Sequence, residues 1–539
     1  MNQNSQQHRP PESHAGSGVG AVGAVAGIGP RIFSRACFLV LGVFLCAPVT
    51  RASDRPNIVY ILADDLGYGD VGCLNPDGKI LTPNIDRLAE QGMVFTDAHS
   101  SSAVCTPTRY GILTGRYNWR SRLKNGVLGG FSPPLIERDR LTVAAFLDAN
   151  GYNTACVGKW HLGFNWQLKD GGVADDKGSY GALYERAWDV DYSRPILNGP
   201  LSVGFDYFFG ISASLDMPPY VFIEDDQATE IPSTTKKFLR EGPAGERFEG
   251  VDVLPQITQK TVEFISANAA ASKAGQPFFV YMPLNSPHTP ILPSPEWQGR
   301  SGLNAYADFV MQTDDTVGRV MAALERSGVV ENTLIIFTSD NGCSPQANYA
   351  ELAAKGHDPS HVFRGHKADI FEGGHRIPFI ASWPARVKVG TTSQQLICLT
   401  DLFATTAEIL GEPVPPDAAV DSVSILPALE GRDHGPLREA VVHHSINGSF
   451  SIRQGRWKLE LCPDSGGWSE PRPNSGAAKK LPATQLYDLT VDIGETNNLQ
   501  AEHPDVVEQM TKLLDKYVAD GRSTSGSAQS NNGDVQIRR

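Results

Sequence analysis

The sequence predicts an α/β protein: a large, mostly parallel sheet flanked by helices, with a smaller C-terminal α+β domain made of an antiparallel sheet and a closing helix. Three observations carry this. Short apolar runs alternate with amphipathic segments along most of the chain, as in successive strand and helix units. Four of these runs end in polar clusters. From about residue 436 short strands follow one another directly and a single amphipathic segment closes the pattern. The boundaries read as 1–52 leader, 53–435 large domain, 436–523 small domain and 524–539 disordered tail.

In order, "NIVYILADD" is a buried strand ending in two carboxylates. "TPNIDRLAEQG" is a helix, with Thr82 as cap, Pro83 at the first position and Gly92 past the end. "LTVAAFLDANGY" is a helix ending near Gly151, and "NTACVGKWH" a strand. The stretch from about 165 to 255 mixes aromatics, acids, Gly and Pro, and reads as long loops around a site mouth. "PFFVYMPLNSPH" is a strand, "YADFVMQTDDTVGRVMAALERSG" a long helix and "NTLIIFTSDNG" a strand. "IPFIASWP" and "TDLFATTAEILG" add a strand and a helix. In the small domain "AVVHHS", "FSIRQGRWKLEL" and "TQLYDL" are short strands and "HPDVVEQMTKLLDKYVADG" is the closing helix.

A net charge of -13 over 539 residues argues against nonspecific binding to nucleic acid or an anionic membrane. Arg31 and Arg35 precede the apolar run "ACFLVLGVFLCAPV", which fits a signal peptide and is short for a membrane span. Cleavage near Ala52 predicts export to the periplasm or beyond, with no stable membrane insertion afterwards. Six of the eight cysteines lie outside this leader and show no CxxC spacing. With Cys105 set aside, at most two disulfides can form.

The polar clusters are Asp64-Asp65, Lys159-Trp160-His161, Ser286-Pro287-His288 and Asp340-Asn341. Ligands in open α/β sheets bind beyond the carboxyl ends of strands, so these four clusters are expected to meet. Asp64, Asp65, Asp340 and Asn341 offer oxygen donors suited to Ca²⁺ or Mg²⁺. Taken singly, each pair is equally a turn sequence. "CTPTRYGILTG" predicts a helix with Thr106 as cap, Pro107 first and Gly115 last, placing Cys105 just before its N-terminus. Arg109 then falls in the first turn, where a cation implies an anion to bind. Lys367 sits in "FRGHKADIFEGGHRIP".

"CTPTR" followed by "YGILTGR" resembles the first signature of the type I, formylglycine-dependent sulfatases of the alkaline phosphatase superfamily, and "GKWHLG" resembles the second. "ILADDLGYGD", "SPH", "TSDNG", "GHKADIFEGGHRIP" and "LYDLTVDIGETNNL" are similar to further family segments, in order, over about residues 55–520. Thr108 departs from the commoner serine. The resemblance implies that 53–435 is the catalytic domain. It implies that a formylglycine-generating enzyme converts Cys105 to 3-oxoalanine (Cα-formylglycine), whose hydrate attacks sulfur with one hydroxyl and clears the sulfate with the other. It implies one Ca²⁺ per chain, held by Asp64, Asp65, Asp340 and Asn341 beside the modified Cys105. Arg109, Lys159 and Lys367 would neutralise sulfate oxygens, His288 would protonate the leaving oxygen and His161 would be the base.

Two alternatives stand beside this: a phosphonate or phosphodiester hydrolase using the same site, and a catalytically silent binder of sulfated glycans. Within the family the chain resembles the arylsulfatase A and N-acetylgalactosamine-6-sulfatase group, and that resemblance implies a sulfated galactose or N-acetylgalactosamine substrate. Trp166, Trp188, Asp189, Asp216, Tyr220 and Glu224-Asp225-Asp226 are expected at a sugar-binding mouth, with His443, His444 and Arg453 reaching it from the small domain.

Overall fold

Strand β1 (Asn57–Ala63) is seven buried residues, the composition of a strand covered on both faces. In the computed structural model, which describes residues 55–177, 185–432 and 435–538, it starts a long alternation of elements. Next come α1 (Pro83–Glu90), β2 (Met93–Phe95), β3 (Ala98–His99), α2 (Cys105–Thr114), α3 (Val143–Ala149) and β4 (Asn153–Lys159). Then follow β5 (Tyr207–Ile211), β6 (Ile223–Glu224), β7 (Gln227–Ala228), β8 (Thr234–Lys237), β9 (Glu241–Ala244), α4 (Val253–Lys273) and β10 (Phe278–Pro283). After these are α5 (Ala305–Ser327), β11 (Thr333–Ser339), α6 (Tyr349–Ala354), α7 (Glu372–His375), β12 (Phe379–Ser382), β13 (Thr391–Ser393) and β14 (Ile397–Cys398). Two helices, α8 (Leu402–Leu410) and α9 (Leu426–Leu429), lead to β15 (Val441–His444), β16 (Phe450–Gln454), β17 (Trp457–Glu460), β18 (Gln485–Asp488) and α10 (Pro504–Ala519).

Ten strands form one sheet in the order β13-β2-β12-β11-β1-β10-β4-β5-β6-β7. The middle run β11-β1-β10-β4-β5 is parallel throughout, and β12, β6 and β7 are antiparallel additions. β1 shows why both faces are covered. Ile58, Tyr60 and Leu62 enter a core shared with α2, α3 and α8, and Val59, Ile61 and Ala63 enter one shared with α1, α4 and α5. Gly158 in β4 has φ +143, and a Cβ there would meet the Pro283 carbonyl, so only glycine lets the chain bend at this point.

The small domain is an antiparallel meander, β15-β16-β17-β18, backed by α10. Met510, Leu514 and Tyr517 of α10 meet Val442, Ile452, Leu459 and Leu486 from the meander and Tyr117 and Trp119 from the large domain. Each such leucine contributes about 1.5–3 kcal/mol on burial. This shared core makes the described residues one compact unit. Residues 524–538, expected to lie in a disordered tail, form no helix or strand. Asn532 nonetheless donates its backbone N–H to the Arg120 carbonyl (2.7 Å), and Val535 and Ile537 lie against the shared core.

The proposed leader lies outside the described residues. Among the described residues no helix is long and apolar enough to cross a membrane. All six described cysteines are free, five of them buried and Cys73 exposed.

Candidate active site

Parallel register brings the polar clusters together. Ala63 of β1 stands opposite Ser339 of β11, so Asp64-Asp65 and Asp340-Asn341 leave the sheet side by side. Leu62 pairs with Pro283 of β10 on the other flank, and β4 lies beyond it, so the His288 and Lys159 clusters emerge from the same edge. The Asp340 N–H donates to the Ala63 carbonyl (3.0 Å) and the Asp64 N–H to the Ser286 carbonyl (2.9 Å), which stitches three strand ends into one floor. The loop after Asp65 is fixed by Asp70, which accepts from the Gly67 N–H (2.8 Å) and the Tyr306 hydroxyl and pairs with His357 (2.8 Å).

All the expected site residues are buried, and the described contacts connect most of them. Lys159 Nζ lies 2.6 Å from Asp64 Oδ2, and Lys367 Nζ lies 2.7 Å from Asp65 Oδ1. Asn341 donates its amide to Asp65 Oδ1 (2.7 Å). His288 Nε2 is 3.5 Å from Asp65 Oδ2. Burial raises the Asp64 carboxyl, but Lys159, His288, Arg109 and Lys367 outweigh it and hold the group far below the usual carboxylate range. Burial and the neighbouring Asp64 charge push Asp340 the other way, upward. Asp65 (φ 64), His161 (φ 56) and Ala368 (φ 81) adopt left-handed backbone without being glycine, the kind of local strain that clusters at functional sites.

Arg109 has found its anion within the protein. Its guanidinium donates twice to Asp340 Oδ2 (3.0 and 2.7 Å) and once to the Lys159 carbonyl (2.9 Å), and it lies 3.6 Å from Asp64 Oδ1. It braces the carboxylates from beneath.

Cys105 opens α2 instead of preceding it. The cap residue is Val104, and Gly115 ends the helix at φ +60 as expected. Pro107 takes the third position, which costs nothing because no N–H in the first turn has an intrahelical partner. Thr106 does not cap: its hydroxyl donates to the His161 carbonyl (3.1 Å) and accepts from the Leu128 N–H (3.2 Å). Burial pushes the Cys105 thiol upward despite Lys159 and Lys367 nearby, so the free thiol stays protonated.

His161 is buried, and burial with Lys159 and Arg109 holds its imidazole well below the usual value. Its Nε2 lies 2.8 Å from the Leu128 carbonyl and must donate to it, which leaves Nδ1 a buried lone pair with no partner. Ser214, which the sequence analysis missed, ties two site groups together. Its hydroxyl accepts from Lys159 Nζ (3.0 Å) and sits 3.3 Å from both ring nitrogens of His288. It follows β5, "YFFGI", so the strand-end rule that located the other clusters also points to it.

The oxygens fit a hard cation. Asp64 Oδ1 and Asn341 Oδ1 are buried with no hydrogen-bond partner, and ligand atoms of Asp64, Asp65 and His288 lie within 4.8 Å of one another. Buried oxygens left unpaired at this cost are what a bound ion resolves.

The expected mouth is different. Trp166 and Tyr220 are core residues, with the Trp166 indole donating to the Gly130 carbonyl (3.0 Å). Trp188 and Asp189 belong to a surface turn closed by Arg186. Glu224 pairs with Lys260. His443 does not reach the mouth. It stacks on His375 (ring centroids 3.7 Å apart, 9° between planes) beside His99, and Arg453 pairs with Asp97. Ligand nitrogens of the three lie within 4.8 Å of one another, but His99 Nδ1 and His375 Nδ1 hydrogen-bond to each other (3.0 Å) and His443 Nδ1 lies 3.1 Å from the Ser451 hydroxyl. His444 acts through its backbone, its carbonyl accepting from the Ala103 N–H (3.0 Å) and the Ser102 hydroxyl (2.8 Å) just before Cys105.

Comparison with known proteins adds to this geometry. Residues 56–412 match the family model described as Sulfatase. The chain is 35% identical over 509 residues to N-acetylgalactosamine-6-O-sulfatase of Bacteroides thetaiotaomicron, covering 86% of this chain and 93% of that protein. It is 31% identical over 501 residues to arylsulfatase A of Homo sapiens, covering 88% and 90% respectively. A solved structure from work on glycosaminoglycan metabolism by Bacteroides thetaiotaomicron superposes with a TM-score of 0.73 at 34% identity, covering 86% of this chain and 99% of that one.

Proposed function

The chain belongs to the sulfatase family and is a sulfuric ester hydrolase, and from that premise we propose that it desulfates galactose or N-acetylgalactosamine units of a polysaccharide, using a formylglycine made from Cys105 and one calcium ion. The observation that carries the reading is the buried union of Asp64, Asp65, Asp340 and Asn341 with Lys159 and Lys367 around a cysteine held as the protonated thiol. A thiol in that state is a poor nucleophile, which supports a precursor role. The name of the Bacteroides relative supports the sugar.

Asp64, Asp65, Asp340 and Asn341 would hold the calcium, which polarises a sulfate oxygen when bound. Formylglycine supplies, as its hydrate, a hydroxyl nucleophile with a second hydroxyl beside it. Lys159 and Lys367 neutralise sulfate oxygens, and the cost of holding these cations in place is met by Asp64 and Asp65. Arg109 fixes Asp340 and Asp64. His288, whose Nδ1 donates to the Thr289 carbonyl, is the group at the leaving alcohol oxygen; burial lowers its imidazole, so it must first take a proton at Nε2, beside Asp65, before it can pass one on. His161 takes a proton at Nδ1. The leader supports export, and a formylglycine-generating enzyme is the partner during maturation.

Mass analysis of the peptide across Cys105, on protein from a host that carries the maturation enzyme, tests the chemistry. Assays on 2-, 3-, 4- and 6-sulfated galactose and N-acetylgalactosamine test the substrate. An unmodified thiol, or activity confined to aryl sulfates, would overturn the reading.

A further inference from the structure

The small domain contributes an aromatic surface to the active site. Cys105 belongs to an apolar cluster with Val104, Val127, Ala213, Met217 and Ala368, and Ile446 and Trp468 of the small domain pack against it. Trp468 is half-buried.

The loop that carries it is held from several sides. Asp369, two residues past Lys367, accepts from the backbone N–H of Trp468 (2.7 Å) and of Ser469 (3.0 Å) and from the Ser469 hydroxyl. The Ser469 hydroxyl also meets His366 Nε2 (3.0 Å). The Ile370 N–H donates to the Ser465 carbonyl (2.7 Å). Gly467 lies so close that a Cβ would stand 2.4 Å from the Ala368 carbonyl oxygen, which makes glycine obligatory there. These bonds lock the Trp468 backbone to the segment that positions Lys367 and leave the indole partly exposed.

We propose that Trp468 is the platform on which the sugar ring of the substrate stacks. The galacto-configured ring proposed above carries its C3, C4 and C5 hydrogens on one face, which is apolar and matches an indole. The aromatics expected from the loops between residues 165 and 255 lie in the core or on a surface turn, so Trp468 supplies this contact from the other domain. The assignment rests on the sugar-sulfate function proposed above.

Steady-state kinetics on N-acetylgalactosamine 6-sulfate and galactose 6-sulfate test it with wild type, Trp468→Ala and Trp468→Phe, each checked for thermal midpoint and formylglycine content. Trp468→Ala should raise KM about tenfold with kcat little changed, and Trp468→Phe should restore most of the loss, because stacking survives in phenylalanine. A KM within twofold of wild type in Trp468→Ala would overturn the platform while leaving the sugar substrate standing. So would an equal loss of kcat in both variants, which marks a structural role. A wild type inactive on every sugar sulfate would instead remove the parent reading.

Discussion

His161 Nε2 sits 2.8 Å from the Leu128 carbonyl, and that one contact fixes the tautomer of the imidazole. The N–H must point at the carbonyl, so Nδ1 carries the lone pair, and burial keeps the ring neutral. A base is therefore ready before substrate arrives. Replacing His161 by Gln or Asn should lower kcat by about 10²–10⁴ while the fold and the calcium content stay intact. Near-normal kcat in His161→Gln, measured at saturating substrate, would remove the base from this position.

Arg109 is predicted to fail in a different way. Its guanidinium meets Asp340 through two nitrogens in a wholly buried setting. Arg109→Ala strands two buried carboxylates and should cost about 3–5 kcal/mol of stability. Arg109→Lys keeps the charge but loses the paired geometry, and should retain the fold with reduced activity. Unfolding midpoints separate the two effects. Equal midpoints for Arg109→Ala and wild type would show that the arginine faces substrate and not the carboxylates.

The oxygen cluster predicts a measurable ion. Elemental analysis should find one calcium per chain, and chelation should abolish activity and lower the unfolding midpoint, with both restored by added calcium. Asn341→Ala removes one donor and should weaken the ion before it affects the fold, since Asn341 also hydrogen-bonds Asp65 (2.7 Å). Full activity after exhaustive chelation, with no metal detected, would defeat the assignment.

Much of this was legible from the sequence, for a physical reason. A buried parallel strand reads as a continuous apolar run, and its end is marked by the first polar residues, so Asp64, Lys159 and Asp340 declare themselves. The start of α2 was displaced by a residue or two, because proline fits any position of the first turn and Thr106 is engaged with His161. Ser214 was hidden because β5 follows a long irregular stretch. Trp166 and Tyr220 were placed at the mouth because sequence shows aromaticity but not exposure. Trp468 comes from another domain, and only tertiary packing brings it to Cys105.

The stacked histidines make stability depend on pH, with a definite sign. His99, His375 and His443 are buried together, and burial lowers all three from the usual imidazole value. Facing them are Asp97, Glu372, Arg376, Arg453 and Lys458, and Lys458 in turn pairs with Glu460 and Glu495. His99 Nε2 and His375 Nε2 both donate, to Asp97 and to the Ile370 carbonyl, so the 3.0 Å contact between their Nδ1 atoms shares one proton, and His443 is the ring kept neutral. Below about pH 6.5 the unfolded chain binds a proton that the folded His443 refuses, so its contribution is present above that pH and lost as pH falls. A ring that stays neutral costs up to about 1.4 kcal/mol per pH unit in that range. Glu460 and Glu495 act in the opposite sense, because burial raises both and the folded state then binds protons first. The clean measurement is thus a difference. His443→Phe keeps the stack on His375 and removes one titrating ring, so its denaturant midpoint should fall less steeply than wild type between pH 6.5 and 5. Parallel slopes for the two proteins would mean that His443 already carries a proton in the fold, and that the stacked rings are held by charge and not by burial.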